Sequence, residues 1–536
     1  MWTQNYTPVG DSEMLSALIA ALPVFVVLVL LGIFRKPAWI ASLSGLAAAA
    51  AVAAGVYRMP AGLLFSSIGY GAAFGLFPIA WIVYWAVVLY RLTVETGNFE
   101  IIKDSVGSLT ADRRLQALLI AFAFGAFIEG AAGFGTPVAV AAAMLAGLGF
   151  SPFYAAGICL IANTAPVAFG SIGIPVITLA GITGLPLADL SANVGRICAP
   201  VSLIVPTYLV LVMSGARGLA GVLPAALACG IGFAGTQFYV SNYIGPQLTD
   251  ILSSLAAIGS LVLVMKLWRP TDAEAASQPL PHHRGAGETL LAWSPYLLLV
   301  VMVLLWGITA VKAVLNEATI AFSWPGLHNL VQRSAPVVAK PSPYAAPYTL
   351  NFLSASGTAC MIATLLAAIL LRVSPARFLG IVAATTRQLA FSILTIASVL
   401  GLAQLMNYSG ATATMGLAFA ATGALFPFFS ALLGWLGVFL TGSDTSANAL
   451  FGNLQVVTAN SLGMNPVLMA SSNSSGGVMG KMISLQSIAV AAAATGMKAE
   501  DEAKLFRFTL KHSILLASVL GLVVVFYAYA APHWVR

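Results

Sequence analysis

Apolar residues in this chain come in long unbroken blocks separated by short polar joints, a pattern that predicts membrane-spanning helices from end to end. A hydrocarbon core ~30 Å thick takes about 20 apolar residues per helix. Blocks at 14–34, 38–57, 66–90, 115–128, 138–149, 154–173, 196–213, 219–238, 249–267, 290–311, 348–371, 378–402, 411–440, 465–475 and 508–531 approach or exceed that length. Several are too short to cross alone, so the expected fold is all-α and polytopic, with about 11–14 transmembrane helices and two re-entrant hairpins. Strands of an outer-membrane barrel would alternate apolar and polar residues over about ten positions. Continuous apolar runs exclude them.

Composition agrees. Hydrophobic residues make up 60% of the 536 positions and charged residues only 8%, against roughly 25% charged in a soluble protein. So few charges cannot cover a soluble fold of this size. The first apolar block follows a polar, acidic stretch (Asp11, Glu13) and exceeds 20 residues, so it reads as a first span rather than a cleaved leader. Cys159, Cys198, Cys229 and Cys360 all lie in apolar segments, which predicts buried thiols and no disulfide framework.

The net charge of +7 is no nucleic-acid footprint, because the basic residues gather at span ends as the positive-inside rule requires. Arg35 and Lys36 follow the first span, Arg58 stands alone after the second, and Arg91, Lys103, Arg113 and Arg114 follow the third. That alternation places the N-terminus in the periplasm. The same rule makes 268–289, Arg372–Arg377 and the segment holding Lys498, Lys504, Arg507 and Lys511 cytoplasmic, and 312–346 external. The C-terminus then lies outside, and the number of crossings is odd.

Residues 268–289, rich in proline, alanine and charge, read as a flexible cytoplasmic linker between an N-terminal half (1–267) and a C-terminal half (290–536). His282 and His283 within it are a solvated pair in the plain reading and a metal site in the alternative one. The external loop 312–346 carries several prolines and reads as a cover over the membrane face. The halves share a pattern. Glu129-Gly130 and Thr441-Gly442 each open a run of small residues, expected as hairpins near 129–149 and 441–462. Gly149-Phe150-Ser151-Pro152 then matches Gly463-Met464-Asn465-Pro466, and Asn163-Thr164-Ala165-Pro166 is set against Asn473-Ser474-Ser475-Gly476. This order predicts an internal duplication, inverted across the membrane as in many transporters.

Candidate chemistry follows from polar groups at membrane depth. Glu129 through Pro137 holds a carboxylate, Gly130, Gly133, Gly135 and Thr136 within an apolar block. Backbone freed by glycine and proline survives in a membrane only inside protein or beside a wet cavity. Helix packing through small residues is the plain alternative, and it leaves Glu129 and Pro137 unexplained. Thr441 to Asn448 sets six hydrogen-bonding side chains in eight positions, with Ser443, Asp444, Thr445 and Ser446 among them. Asn163, Thr164 and Pro166, and Ser471 to Ser475 with Gly476 and Gly477, read as mid-membrane helix breaks. Half-helices starting there would aim amides with ~+0.5 of a charge at an anion; simple helix capping is the other reading. Lys481, alone among uncharged residues, either pairs with Asp444, Glu129 or a substrate carboxylate, or snorkels to the interface. Arg196 and Arg387 start spans and read as interface anchors, with the lining of an entry path as the alternative.

No nucleophile–histidine–acid set, metal-ligand spacing or cofactor fingerprint occurs, so neither an enzyme nor a cofactor is expected. Proton coupling would then fall to a carboxyl group, whose neutral form is favoured away from water. Glu129 and Asp444 are the candidates, Glu129 in the drier setting.

The runs GAFIEGAAGFGTPVA, YAAGICLIANTAPVAFG, LLGWLGVFLTGSDTSANALF, GGVMGKMISLQSIA and LFRFTLKHS, with the opening MWTQNYTPVG, closely resemble the bacterial L-lactate permease family along essentially the whole chain. The resemblance implies proton-linked uptake of L-lactate, D-lactate and glycolate across the inner membrane. It also implies kinship with the ion-transporter superfamily, built from two repeats with re-entrant hairpins and often moving as an elevator. Together with the residue reading it assigns substrate binding to Gly133, Gly135, Thr136, Asn163, Thr164, Ser443, Thr445, Ser446, Asn448, Asn473, Ser474, Ser475 and Lys481, and proton coupling to Glu129 and Asp444. A sodium- or proton-coupled carrier of another organic anion, such as a dicarboxylate, is the alternative. Oligomeric state is not legible.

Overall fold

The computed structural model describes residues 1–133, 135–270, 285–497 and 499–536. Most of the expected 268–289 linker, with His282, His283 and Arg284, lies outside the described residues, as does Lys498. Among the described residues 11 helices are long and apolar enough to cross a membrane, or up to 12 when the bent pair Pro152–Ala162 and Val167–Thr183 counts as one span. The protein is an all-α, multi-pass membrane protein.

The longest helix, Leu187–Tyr243, has 57 residues. At 1.5 Å per residue it would measure about 85 Å, nearly three bilayer cores. It breaks at Gly215, where φ is 68°, and again at Val222. Its ends then meet: Ser191 Oγ donates to the Ser241 carbonyl at 2.8 Å. The blocks expected at 196–213 and 219–238 are the two arms of this one kinked element.

Two runs of elements share an order. In the first, the span Arg113–Ala131 is followed by Thr136–Gly147, with Gly133 and Gly135 between them in the left-handed region, then Pro152–Ala162, a break at 163–166, and the helix ending at Thr183. In the second, Phe426–Thr441 turns at 442–443 into Asp444–Ser461, then Pro466–Lys481, a break at 482–484, and Leu485–Ala494. Both joints are built alike. Gly149 (φ 89°) and Gly463 (φ 66°) end one helix in the left-handed region. Ser151 and Asn465 then cap the next, each with proline at its first position. The runs also exchange contacts: Asp444–Ser461 packs on Gly170–Thr183, and Leu485–Ala494 packs on Thr136–Gly147.

One expected break is absent. Ser471 to Gly477 lie inside the continuous helix Pro466–Lys481, and the second run breaks after Lys481 instead. The small residues there serve packing. A methyl on Gly476 would overlap the Ala431 carbonyl, and one on Gly434 would overlap the Asn473 carbonyl, so this helix and Phe426–Thr441 meet backbone to backbone. Ser472 Oγ donates to the Met469 carbonyl at 2.8 Å and also meets Ser430 Oγ, and Ser474 Oγ donates to Asp444 Oδ2 at 2.6 Å, so these two hydroxyls are satisfied within an intact helix.

The loop expected over 312–346 has more structure than its composition suggests. Ile320–Ser323 pairs antiparallel with Pro347–Leu350, and Val331–Arg333 pairs with both Trp2–Thr3 and Ser342–Pro343. The N-terminus and this loop therefore lie at the same end of the molecule, held down by Gln4 Nε2 donating to the Asn407 and Tyr408 carbonyls at 2.9 and 2.8 Å. All four cysteines are buried.

Candidate functional site

The span Arg113–Ala131 is buried by protein over an 18-residue window, which lets its last turn carry a carboxylate without facing lipid. Glu129 sits there, 5% exposed. After it the chain reverses through Gly133 (φ 60°) and Gly135 (φ 83°), backbone that a side chain would strain. Thr136 opens the returning helix, half-buried.

Against this tip lies a second interruption. Ser171, Ile172 and Gly173 have φ of 47°, 62° and 75°, three successive left-handed residues at the start of Gly170–Thr183. Such positions cost of order 1–3 kcal/mol each for residues other than glycine. Ser171 Oγ donates to the Ala132 carbonyl at 3.1 Å and so fastens the interruption to the hairpin tip. Glu129 is wedged beneath: a methyl on Gly170 would lie 2.7 Å from its Oε1. Glu129 Oε2 has no hydrogen-bond partner among the described residues.

The second tip supplies the other wall. Ser443 caps Asp444–Ser461, accepting from the Ser446 amide at 3.2 Å. Asp444 Oδ2 accepts from Ser474 Oγ at 2.6 Å and from Asn448 Nδ2 at 3.4 Å, while Oδ1 has no partner among the described residues. Behind it runs a polar network. Asn473 Nδ2 donates to Asn448 Oδ1 at 2.9 Å, Gln455 Nε2 to Asn473 Oδ1 at 3.0 Å, and Ser430 Oγ to Gln455 Oε1 at 2.7 Å. Lys481, 8% exposed, does not snorkel. Its Nζ donates to the Gly442 carbonyl at 2.6 Å rather than to either expected carboxylate. Glu129 and Asp444 remain within its electrostatic reach.

Between these tips lies a cavity of about 160 Å³ lined by Glu129, Gly170, Ser171, Thr441 to Ser446, Lys481, Gln486, Ser392 and Thr395. One water needs only about 10–15 Å³ by a comparable measure, so there is room for a small organic solute. Thr441, Gly442 and Gln486 also border a 760 Å³ cavity whose wall includes Arg35, Lys36 and Arg507. Gln486 and Ser392 border a third, of 500 Å³, that reaches Thr136 and Arg91. The small cavity thus opens toward the face that bears these basic residues.

Of the residues singled out from sequence, Glu129, Ser443, Asp444, Thr445, Ser446 and Lys481 line the small cavity. Gly133 and Gly135 shape the tip, and Thr136 faces the neighbouring cavity. Asn448, Asn473 and Ser474 stand behind Asp444 in the network and do not line the cavity. Asn163 and Ser475 are buried with side-chain polar atoms unpartnered among the described residues. Thr164 Oγ1 donates to the Ile161 carbonyl at 2.8 Å within its own turn. Arg196 bonds Asn242 Oδ1 at 2.8 Å away from the site, and Arg387 is exposed. Sequence reasoning missed Ser171, Gln486, Ser392 and Thr395. The last two lie on the helix Pro375–Ser409, where isolated hydroxyls in an apolar span resemble ordinary helix back-bonding.

A profile described as L-lactate permease matches residues 16–531. The chain belongs to the L-lactate permease family. It is 47% identical over 566 residues to an L-lactate permease of Bacillus subtilis, covering 99% of each chain. It is 46% identical over 551 residues to glycolate permease GlcA of Escherichia coli, covering 98% of each. An Escherichia coli L-lactate permease is 44% identical over 544 residues, covering 99% of this chain and 98% of that one. The resemblance carried by the hairpin motifs therefore extends over the whole permease fold.

Proposed function

We propose that this protein is a secondary active transporter of the bacterial inner membrane that takes up L-lactate and related 2-hydroxymonocarboxylates, D-lactate and glycolate among them, together with a proton. The observation that carries this reading is the cavity of about 160 Å³ in which one lysine, a helix start and serine and threonine hydroxyls converge beside two buried carboxyl groups. The family's named lactate and glycolate permeases supply the substrate class.

The substrate carboxylate meets Lys481 Nζ and the amides that open Asp444–Ser461, where the helix dipole favours an anion. Its 2-hydroxyl meets the hydroxyls of Ser443, Thr445, Ser446 or Ser171. Asn448 and Ser474 hold Asp444 in place, with Asn473 bracing Asn448 from behind. Glu129 carries the proton, since Asp444 is the more heavily hydrogen-bonded of the two. Lys481 is the single cationic side chain lining the cavity among the described residues, which suits a monocarboxylate better than a dicarboxylate. Moving lactate alone inward would cost ~2.3 kcal/mol per 100 mV of membrane potential, and a co-transported proton removes that cost.

The two runs are an inverted internal repeat in this reading, the helix after each tip packing on the helix beyond the other run's break. With Arg35, Lys36 and Arg507 on the cytoplasmic side and the N-terminus periplasmic, the cavity faces inward. The test is labelled L-lactate uptake into proteoliposomes with pH and sodium gradients imposed separately. Accumulation driven by an alkaline interior and blocked by glycolate is expected. Uptake driven by sodium alone, or preferring a dicarboxylate, overturns the reading.

A further inference from the structure

A third buried carboxyl group lies beside the site. Asp250 opens the helix Thr249–Leu267, where an acidic residue in a first turn looks like an ordinary partner of the helix dipole. It is 1% exposed, and neither carboxylate oxygen has a hydrogen-bond partner among the described residues. That is an expensive arrangement for a structural residue, because a bare charge away from water costs several kcal/mol. Away from water and without a partner, such a group is stable only when it holds a proton or a cation.

Its neighbours say what it serves. A methyl on Gly130 would lie 2.7 Å from Asp250 Cβ, so the acid abuts the residue that follows Glu129, within that carboxylate's electrostatic reach. Among the described residues, Glu129 on Gly125–Ala131 and the Cys198 thiol on Leu187–Tyr243 are the titratable groups in electrostatic reach of it. The packed segments Gly170–Thr183, Ala117–Phe124 and Pro246–Leu248 carry none. Asn163, 3% exposed, also lies beside Glu129. Gly245 to Leu248, immediately before Thr249, line a 570 Å³ cavity whose wall also includes Lys312 and Ser354. Lys312 begins the connection expected to be external, and Arg35, Lys36 and Arg507 mark the opposite face.

We propose that Asp250 is the proton-entry residue of this transporter, taking protons from the cavity bordered by Gly245 to Leu248 and passing them to Glu129. The transfer is a simple relay. The Asp250 O–H bond breaks as the proton joins the Glu129 carboxylate, and Asp250 is reprotonated from water in that cavity. The substrate and the proton thus reach Glu129 by different routes, which keeps the lysine and hydroxyls of the binding cavity free for lactate. Asp250 does not touch the substrate and is a proton-relay residue. The inference rests on the proton-coupled reading above.

The experiment compares reconstituted wild type with Asp250→Asn and Asp250→Glu in two assays, pH-gradient-driven accumulation of labelled L-lactate and lactate counterflow without a gradient. Asp250→Asn should cut accumulation at least tenfold while keeping at least a third of the counterflow, because the amide imitates the protonated acid. Asp250→Glu should restore accumulation with a displaced pH profile. Wild-type accumulation in Asp250→Asn, or loss of counterflow in step with accumulation, overturns the relay. Failure of the wild type itself to accumulate lactate would instead remove the proton-coupled reading beneath it.

Discussion

Asn448 Nδ2 donates to the Pro175 carbonyl at 3.1 Å, joining the helix that leaves the second hairpin tip to the broken helix of the first run. The same amide also approaches Ser474 Oγ at 3.1 Å and Asp444 Oδ2 at 3.4 Å. One buried side chain therefore fixes the separation of the two walls and the orientation of a carboxylate between them.

Replacing Asn448 with alanine should be costly on both counts. Leaving buried partners unsatisfied costs about 1–3 kcal/mol, so a lower thermal unfolding midpoint is expected. Lactate uptake should fall at least tenfold, because the tips lose their register. Unchanged uptake alongside an unchanged midpoint would show that the inter-run bond is dispensable.

Lys481 is held by the Gly442 carbonyl, which aims its ammonium into the cavity before any anion arrives. Lys481→Gln should raise the half-saturating lactate concentration about 30-fold or more, in keeping with about 2 kcal/mol for a desolvated charge contact. The discriminating measurement is inhibition by neutral lactamide. Wild type should prefer lactate strongly over lactamide, whereas Lys481→Gln should bind the two alike. A retained preference for lactate in the variant would move the anion site elsewhere.

Gly476 illustrates a purely architectural demand. Gly476→Val would drive a side chain into the Ala431 backbone, and overpacking of this kind costs several kcal/mol. The expected result is little monodisperse protein after detergent extraction. Gly147→Ala, with open space around its added methyl, should extract and transport normally.

Much of this was legible in the sequence. Long apolar blocks predict the spans because a bilayer demands them, and the hairpin tips announce themselves where Glu129 or Asp444 meets glycine, threonine and serine in apolar surroundings. Other features depended on what stood opposite. Ser471 to Ser475 look like a helix break, yet they lie in an unbroken helix, where Ser430, Gln455 and Asn448 supply partners to Ser472, Asn473 and Ser474 from other segments. The break after Lys481 is marked only by Ser484, which caps the helix that follows. Asp250 looks like a helix-start acid at a span end, and only the fold reveals that Gly130 lies against it. The strands around Val331–Arg333 pair partly with the N-terminus, hundreds of residues away, and no local pattern encodes such a pairing.

The central claim is that Glu129, wedged under Gly170 with one oxygen unpartnered, carries the proton that drives lactate uptake. Glu129→Gln separates coupling from translocation, since the amide keeps the shape of the protonated acid and cannot release a proton. The most direct measurement is labelled L-lactate flux in Glu129→Gln proteoliposomes, with and without an imposed pH gradient. The account predicts that gradient-driven accumulation is lost while lactate counterflow continues. Normal pH-driven accumulation in this variant would contradict it.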